Sequence, residues 1–183
     1  GSEMCKETAL SLALIFSGFV KAIDPLGTQY KIGDYLEALH LEQYAPSWAT
    51  LTTSVLLSAV EFCLGVFLLF AIRRRKVSRV IVAFMAIMTA ITVWLWGWEP
   101  IKDCGCFGDA IHLTNGETLL KNLLLLAMAA VVAWKPFCMV RFISKTNQWI
   151  VINYTLLFIL VSSALSLWYL PPLFLYTSDA ADD

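Results

Sequence analysis

The sequence predicts an all-α membrane protein: a four-helix transmembrane bundle plus a fifth transmembrane helix, with an amphipathic outer-surface helix between spans one and two. Three observations carry this. Of 183 residues, 59% are apolar and only 15% charged, where a water-soluble domain usually carries roughly a quarter charged. Five stretches approach or reach the run of about 17–25 apolar residues that crosses a bilayer as a helix. Basic residues gather in alternate connections, as they do in multi-pass proteins. With a mean hydropathy of +0.72, a disordered chain, a basic-faced nucleic-acid binder and a disulfide-stapled secreted domain are all disfavoured. A net charge of −1 matters less than where each sign sits.

The first span, about Glu7 to Ile23, is the weakest, being short and ending at Lys21 and Asp24-Pro25. The outer loop that follows is expected to be helical from Tyr30 to Tyr44. There Ile32, Leu36, Leu39 and Gln43 or Tyr44 recur at helical spacing, with Lys31, Asp34, Glu37 and Glu42 between them. That pattern suits a helix lying on the membrane surface or capping the bundle. Span two, about Leu51 to Ile72, is strong despite Glu61 in its middle. Span three, about Val77 to Trp98, is uninterrupted and closes on Trp94, Trp96 and Trp98, an interfacial belt. Span four, about Thr118 to Trp134, opens near Lys121-Asn122 and continues in Leu, Ala, Val and Met. Span five, about Trp149 to Leu170, stops at Pro171-Pro172. Residues 4–172 thus read as one integral membrane domain, and 173–183 as an acidic tail. Gly1-Ser2-Glu3 reads as a cloning remnant.

The connections set the orientation. Arg73, Arg74, Arg75, Lys76 and Arg79 lie between spans two and three, and Lys135, Arg141 and Lys145 between spans four and five. Asp24, Asp34, Glu37 and Glu42 lie in one of the other two loops, and Glu99, Asp103, Asp109 and Glu117 in the other. Because basic flanks stay cytoplasmic, the N-terminus is expected inside, and loops 24–50 and 99–117 outside with the C-terminus.

The most specific local feature is Asp103-Cys104-Gly105-Cys106-Phe107-Gly108-Asp109. Two thiols one residue apart can close a disulfide if the chain turns tightly, and Gly105 makes such a turn accessible. The small ring would be strained, and strained disulfides are the more exchangeable ones. An outer loop is where a disulfide persists. Lys102 would favour the attacking thiolate, while Asp103 and Asp109 oppose it. Two rival readings stand beside exchange chemistry. One is a permanent structural staple, although so short a loop restricts the unfolded chain little. The other is a soft-metal site using Cys104 and Cys106 with Asp109 or His112, which lacks a second ligand pair at finger spacing. Cys5, Cys63 and Cys138 read as ordinary small hydrophobes.

Glu61 is the second feature. Counted from Leu51 it lies about 15 Å into span two at 1.5 Å per residue. An ionisable group at that depth faces the bundle interior and often belongs to a pathway. It could hydrogen-bond a quinone oxygen or relay a proton, or simply hold two helices together. Lys21, near the outer end of span one, is expected some two turns from it, too far to pair.

Two stretches resemble one family. Phe16-Ser17-Gly18-Phe19-Val20-Lys21-Ala22-Ile23-Asp24-Pro25-Leu26-Gly27, with Lys31 and Asp34-Tyr35 after it, is similar to the first span and outer loop of DoxX-like membrane proteins. Asp103-Cys104-Gly105-Cys106-Phe107-Gly108 resembles the signature of the MauE branch of that superfamily, and Glu61 and Gly65 fit the same pattern. The resemblance implies a four-helix membrane bundle associated with disulfide transfer to exported proteins, with Cys104 and Cys106 as the redox pair. Some such proteins continue into a soluble thioredoxin-like domain, whereas here Thr177 to Asp183 soon follow span five. A thioredoxin-like redox partner is therefore expected on a further segment or another chain.

The expected function is that of a bacterial inner-membrane thiol–disulfide redox protein. Cys104 and Cys106 would exchange with a periplasmic thiol protein, and Glu61 would assist. A membrane quinone is the candidate acceptor, with Lys21, Asp24, Trp96, Trp98 and Phe107 as its candidate contacts. With a single outer cysteine pair, that pair would have to meet the quinone directly. The alternatives are a non-catalytic membrane scaffold for a soluble redox partner, and a carrier for a small solute or soft metal. Membrane lipid is the other expected partner; nucleic acid is not.

Overall fold

The computed structural model describes residues 2–38, 46–98, 115–134, 144 and 147–169. They form helices α1 (Ser2–Ile23), α2 (Pro25–Ala38), α3 (Ser47–Leu69), α4 (Arg74–Trp98), α5 (Asn115–Trp134) and α6 (Gln148–Tyr169). Every described element is helical, as the sequence predicts. In hydrocarbon a helix is the way a single segment satisfies its own backbone. Four stretches are long and apolar enough to cross a bilayer alone: Ser47–Leu69, Arg74–Trp94, Gly116–Trp134 and Gln148–Trp168. Lys6–Ile23 reaches that mark only together with Pro25–Glu37, from which it is bent by 94°. The first span is the weakest in the structure as in the sequence.

The break at Asp24-Pro25 has a local cause. Pro25 has no N–H to continue the α1 ladder and is well suited to open a new helix. Asp24 accepts a hydrogen bond from the Gly27 amide through Oδ1 at 2.9 Å, capping α2. The surface helix expected from Tyr30 therefore starts five residues earlier, at Pro25. Residues 39–45, its expected C-terminal part, lie outside the described residues.

The bundle is inverted relative to a soluble protein. Leu56, Leu120, Leu124, Leu157 and Leu160 are all more than half exposed, while Ser11, Ser54, Ser58 and Thr118 are fully buried. Exposed tryptophans stand at both ends: Trp48, Trp96 and Trp168 at one, Trp134 and Trp149 at the other. This is the placement expected of rings at two lipid–water interfaces.

The buried interior is mostly apolar toward one end of the bundle axis, where Ser11 and Ser78 are buried polar exceptions, and mostly polar toward the other. Leu10, Leu14, Leu64, Leu68, Val77, Ile81, Met85, Leu125, Ala129 and Val132 form the apolar core, toward the end where Arg73 to Lys76 lie. Toward the other end the inward positions are Ser17, Lys21 and Asp24 on α1 and its end, Thr50, Ser54, Ser58 and Glu61 on α3, Thr89 and Thr92 on α4, and Thr118 and Asn122 on α5. The first is the basic end and the second the loop end, where residues 99–114 join α4 to α5.

Candidate functional site: a buried ion pair

The site rests on how closely α1 and α3 approach. A methyl group on Gly18 would come within 2.4 Å of the Phe62 backbone nitrogen, and one on Gly65 within 2.7 Å of the Ile15 nitrogen. Both glycines let the antiparallel backbones touch, as small residues do between membrane helices. The register pairs Ile15 with Gly65 and Gly18 with Phe62. One step further, the Ser54 hydroxyl donates to the Pro25 carbonyl at 2.7 Å.

That register corrects one expectation. Lys21 and Glu61 are not two turns apart: Lys21 Nζ lies 2.5 Å from Glu61 Oε2, with their side chains 6% and 9% exposed. Lys21 also donates to Ser17 Oγ at 3.2 Å. The reason is a difference in height between the helices. α3 begins at Ser47, four residues before the expected start of its span, and the end of α1 meets Ser54. The end of α1 therefore sits about 10 Å below the start of α3, counting 1.5 Å per residue. α2 packs against α3 in the space left above it.

Across the interior, Asn122 Nδ2 donates to Thr92 Oγ1 at 2.8 Å, joining α5 to α4. Between this pair and the ion pair lies a cavity lined by Ser17, Lys21, Glu61, Lys121 and Asn122 on its polar side, and by Leu14, Met85 and Leu125 on its apolar side. About 20 Å³ of it is open to water centres, enough to hold a water molecule. Asn122 is seven residues into α5, so the cavity lies about 10 Å below the helix ends that carry residues 99–114.

Of the residues singled out in the sequence, the structure brings Lys21 and Glu61 together and buries Asp24 at the α1–α2 break. Trp96 is half exposed on α4 and takes no part in the cavity. Cys104, Cys106 and Phe107, and the side chain of Trp98, lie outside the described residues, as do Asp109 and His112. Among the described residues, no group of three His, Cys, Asp or Glu could hold a metal ion. Cys63 is a half-buried free thiol in α3. Sequence reasoning missed Ser17, Thr92 and Asn122 as one cluster with the ion pair. The signal was there on α3: Thr50, Ser54, Ser58 and Glu61 recur at helical spacing and form one stripe.

The family model described as methylamine utilisation protein MauE matches residues 7–135. This chain belongs to the MauE family. It is a multi-pass membrane protein of that family, and the match covers α1 to α5, including both sides of the cavity. No curated protein and no solved structure matches the chain. α6 lies beyond the matched region and packs on the α1–α3 side of this MauE protein. Its Phe158 ring stacks on Phe19 at 6.1 Å and Phe62 at 5.4 Å between centroids, covering the seam beside Gly18.

Proposed function

We propose that this MauE family member is a thiol–disulfide redox protein of the bacterial inner membrane, with its N-terminus cytoplasmic and its C-terminus periplasmic. In this reading it also belongs to the DoxX-like superfamily. A thiolate of an exported protein attacks the Cys104–Cys106 disulfide, forming a mixed disulfide and releasing one cysteine as thiolate. A second thiol of the same client resolves it, leaving the client oxidised and both cysteines reduced. The reduced pair then passes two electrons and two protons to a membrane quinone, re-forming its disulfide and giving the quinol. Lys21 and Glu61 hold or relay a proton between the thiols and the quinone oxygens. Asp24, Trp96, Trp98 and Phe107 contact the quinone ring.

One observation carries the reading: a buried, hydrogen-bonded Lys–Glu pair beside a water-sized cavity, at the end of the bundle from which the Cys-Gly-Cys loop springs. Ionisable groups are costly at such depth and usually mark a pathway. The apolar half of the interior would confine that pathway to one end.

The test uses purified protein, a reduced thioredoxin-like client and a soluble quinone. Quinol formation should require both cysteines, so Cys104→Ser and Cys106→Ser should each abolish it. Full activity in either variant would rule the proposal out. Alkylation with and without reductant should show a pair that opens and recloses. The carrier reading draws some support from the cavity, where α1 and α3 face α4 and α5. Protein-dependent solute uptake by vesicles with both cysteines replaced would favour it.

A further inference from the structure

At the basic end, α3 turns into α4 through only Phe70, Ala71, Ile72 and Arg73. Ala71 and Arg73 take left-handed conformations, with φ of 52° and 43°, which non-glycine residues adopt uncommonly. The turn is held by burial of Ala71 and Ile72, at 3% and 1% exposure. The Ile72 amide bonds to the Phe67 carbonyl at 2.8 Å, and the Lys76 amide to the Arg73 carbonyl at 2.8 Å. As a result Arg73, Arg74, Arg75 and Lys76 border one shallow, open depression. The first turn of α4 carries no acidic residue.

We propose that this depression binds the phosphate of an anionic phospholipid headgroup. Charge and depth each support it. Four consecutive basic residues border one shallow depression, and guanidinium groups suit phosphate because their planar fork can donate two parallel hydrogen bonds. Val80, half exposed on the lipid side of α4, follows Lys76 by about 6 Å along the helix. Trp134 and Trp149 mark the interface at the same end. The cations therefore sit at headgroup level. Orientation alone needs basic residues near a span but not a shared depression, so Lys6, exposed on α1 at the same end, separates the two explanations.

The experiment is native mass spectrometry and titration of the purified full chain with phosphatidylglycerol, phosphatidylcholine and inorganic phosphate. Phosphatidylglycerol should bind in preference to the other two. Removing one cation near a membrane surface should weaken binding about five-fold, so the double variant Arg74→Gln, Arg75→Gln should lose about 25-fold. Should that variant fail to fold, Arg75→Gln alone should lose about five-fold. Lys6→Gln should bind as the unaltered protein does. The proposal is overturned if phosphatidylcholine binds equally well. It is also overturned if inorganic phosphate binds as tightly as phosphatidylglycerol, which would mark a free-phosphate site, or if Lys6→Gln weakens binding as much as Arg75→Gln, which would mark diffuse attraction.

Discussion

Replacing Lys21 by Met tests whether the buried ion pair is dry. In the folded protein Glu61 Oε2 accepts from Lys21 Nζ at 2.5 Å, and little of either side chain is exposed. Met keeps most of the apolar stem of Lys21 but removes the ammonium, leaving the Glu61 carboxylate without that partner. Breaking a buried pair from one side costs about 3–5 kcal/mol, because a charge is left uncompensated where water is scarce. Glu61→Leu should cost a similar amount by stranding the ammonium. Replacing both with apolar residues removes the stranded charge, so the double variant should be less destabilised than either single one. The assay is unfolding of the four proteins in one mild detergent, read as a double-mutant cycle. Single-variant costs below about 1 kcal/mol would show a pair solvated as at a surface, and additive costs would show that the two groups act independently. Either result would refute the dry buried pair argued here.

Two further outcomes follow from the packing. Gly18→Ala should destabilise by about 1–3 kcal/mol through overpacking, since its methyl would meet the Phe62 backbone, whereas Gly33→Ala, with open space around it, should be neutral or stabilising; equal effects in thermal unfolding would contradict the close α1–α3 approach. Replacing Asn122 by Leu and Thr92 by Val should show a coupling of about 0.6 kcal/mol, as membrane-helix hydrogen bonds do, and a coupling of zero would mean that apolar packing alone joins α4 to α5.

Much of the architecture was legible because membrane helices are specified by run length. The expected spans over 51–72, 77–98, 118–134 and 149–170 each correspond to a helix, with boundaries displaced by a few residues. Run length, however, treats each span by itself. It does not say how far one helix slides along the next, and here that slide decides the site. The offset is set by the Gly18 and Gly65 notches and by the Ser54–Pro25 hydrogen bond, which are contacts between segments. Placing both spans flush with one surface separated Lys21 from Glu61 and hid the pair. The start of α2 at Pro25 was local and could have been read, since Asp-Pro with an amide three residues beyond the Asp is a helix-start arrangement. The Tyr30–Tyr44 periodicity is the stronger signal and points to a later start. The cysteine motif is the clearest chemistry in the sequence, yet its residues lie outside those the structure describes.

The division of the interior bears on how such a protein could work without making the bilayer leak. The same helices supply both halves: α1 contributes Leu10 and Leu14 below and Ser17 and Lys21 above, while α3 contributes Leu64 and Leu68 below and Ser54, Ser58 and Glu61 above. Lys21 and Glu61 stand where the two regimes meet. As a pair they carry no net charge, which lowers the cost of placing them there compared with either ion alone. A water molecule in the adjoining cavity can hydrogen-bond to polar groups on its loop-end side, while toward the basic end the packing is mostly apolar, and the buried Ser11 and Ser78 hydroxyls there donate to their own helices. Under the proposed function, this arrangement would hold or pass protons toward the loop end. Exchange chemistry on residues 104 and 106, as proposed, would need access from one side alone. It would also give the buried pair a reason to lie below the helix ends, not flush with them.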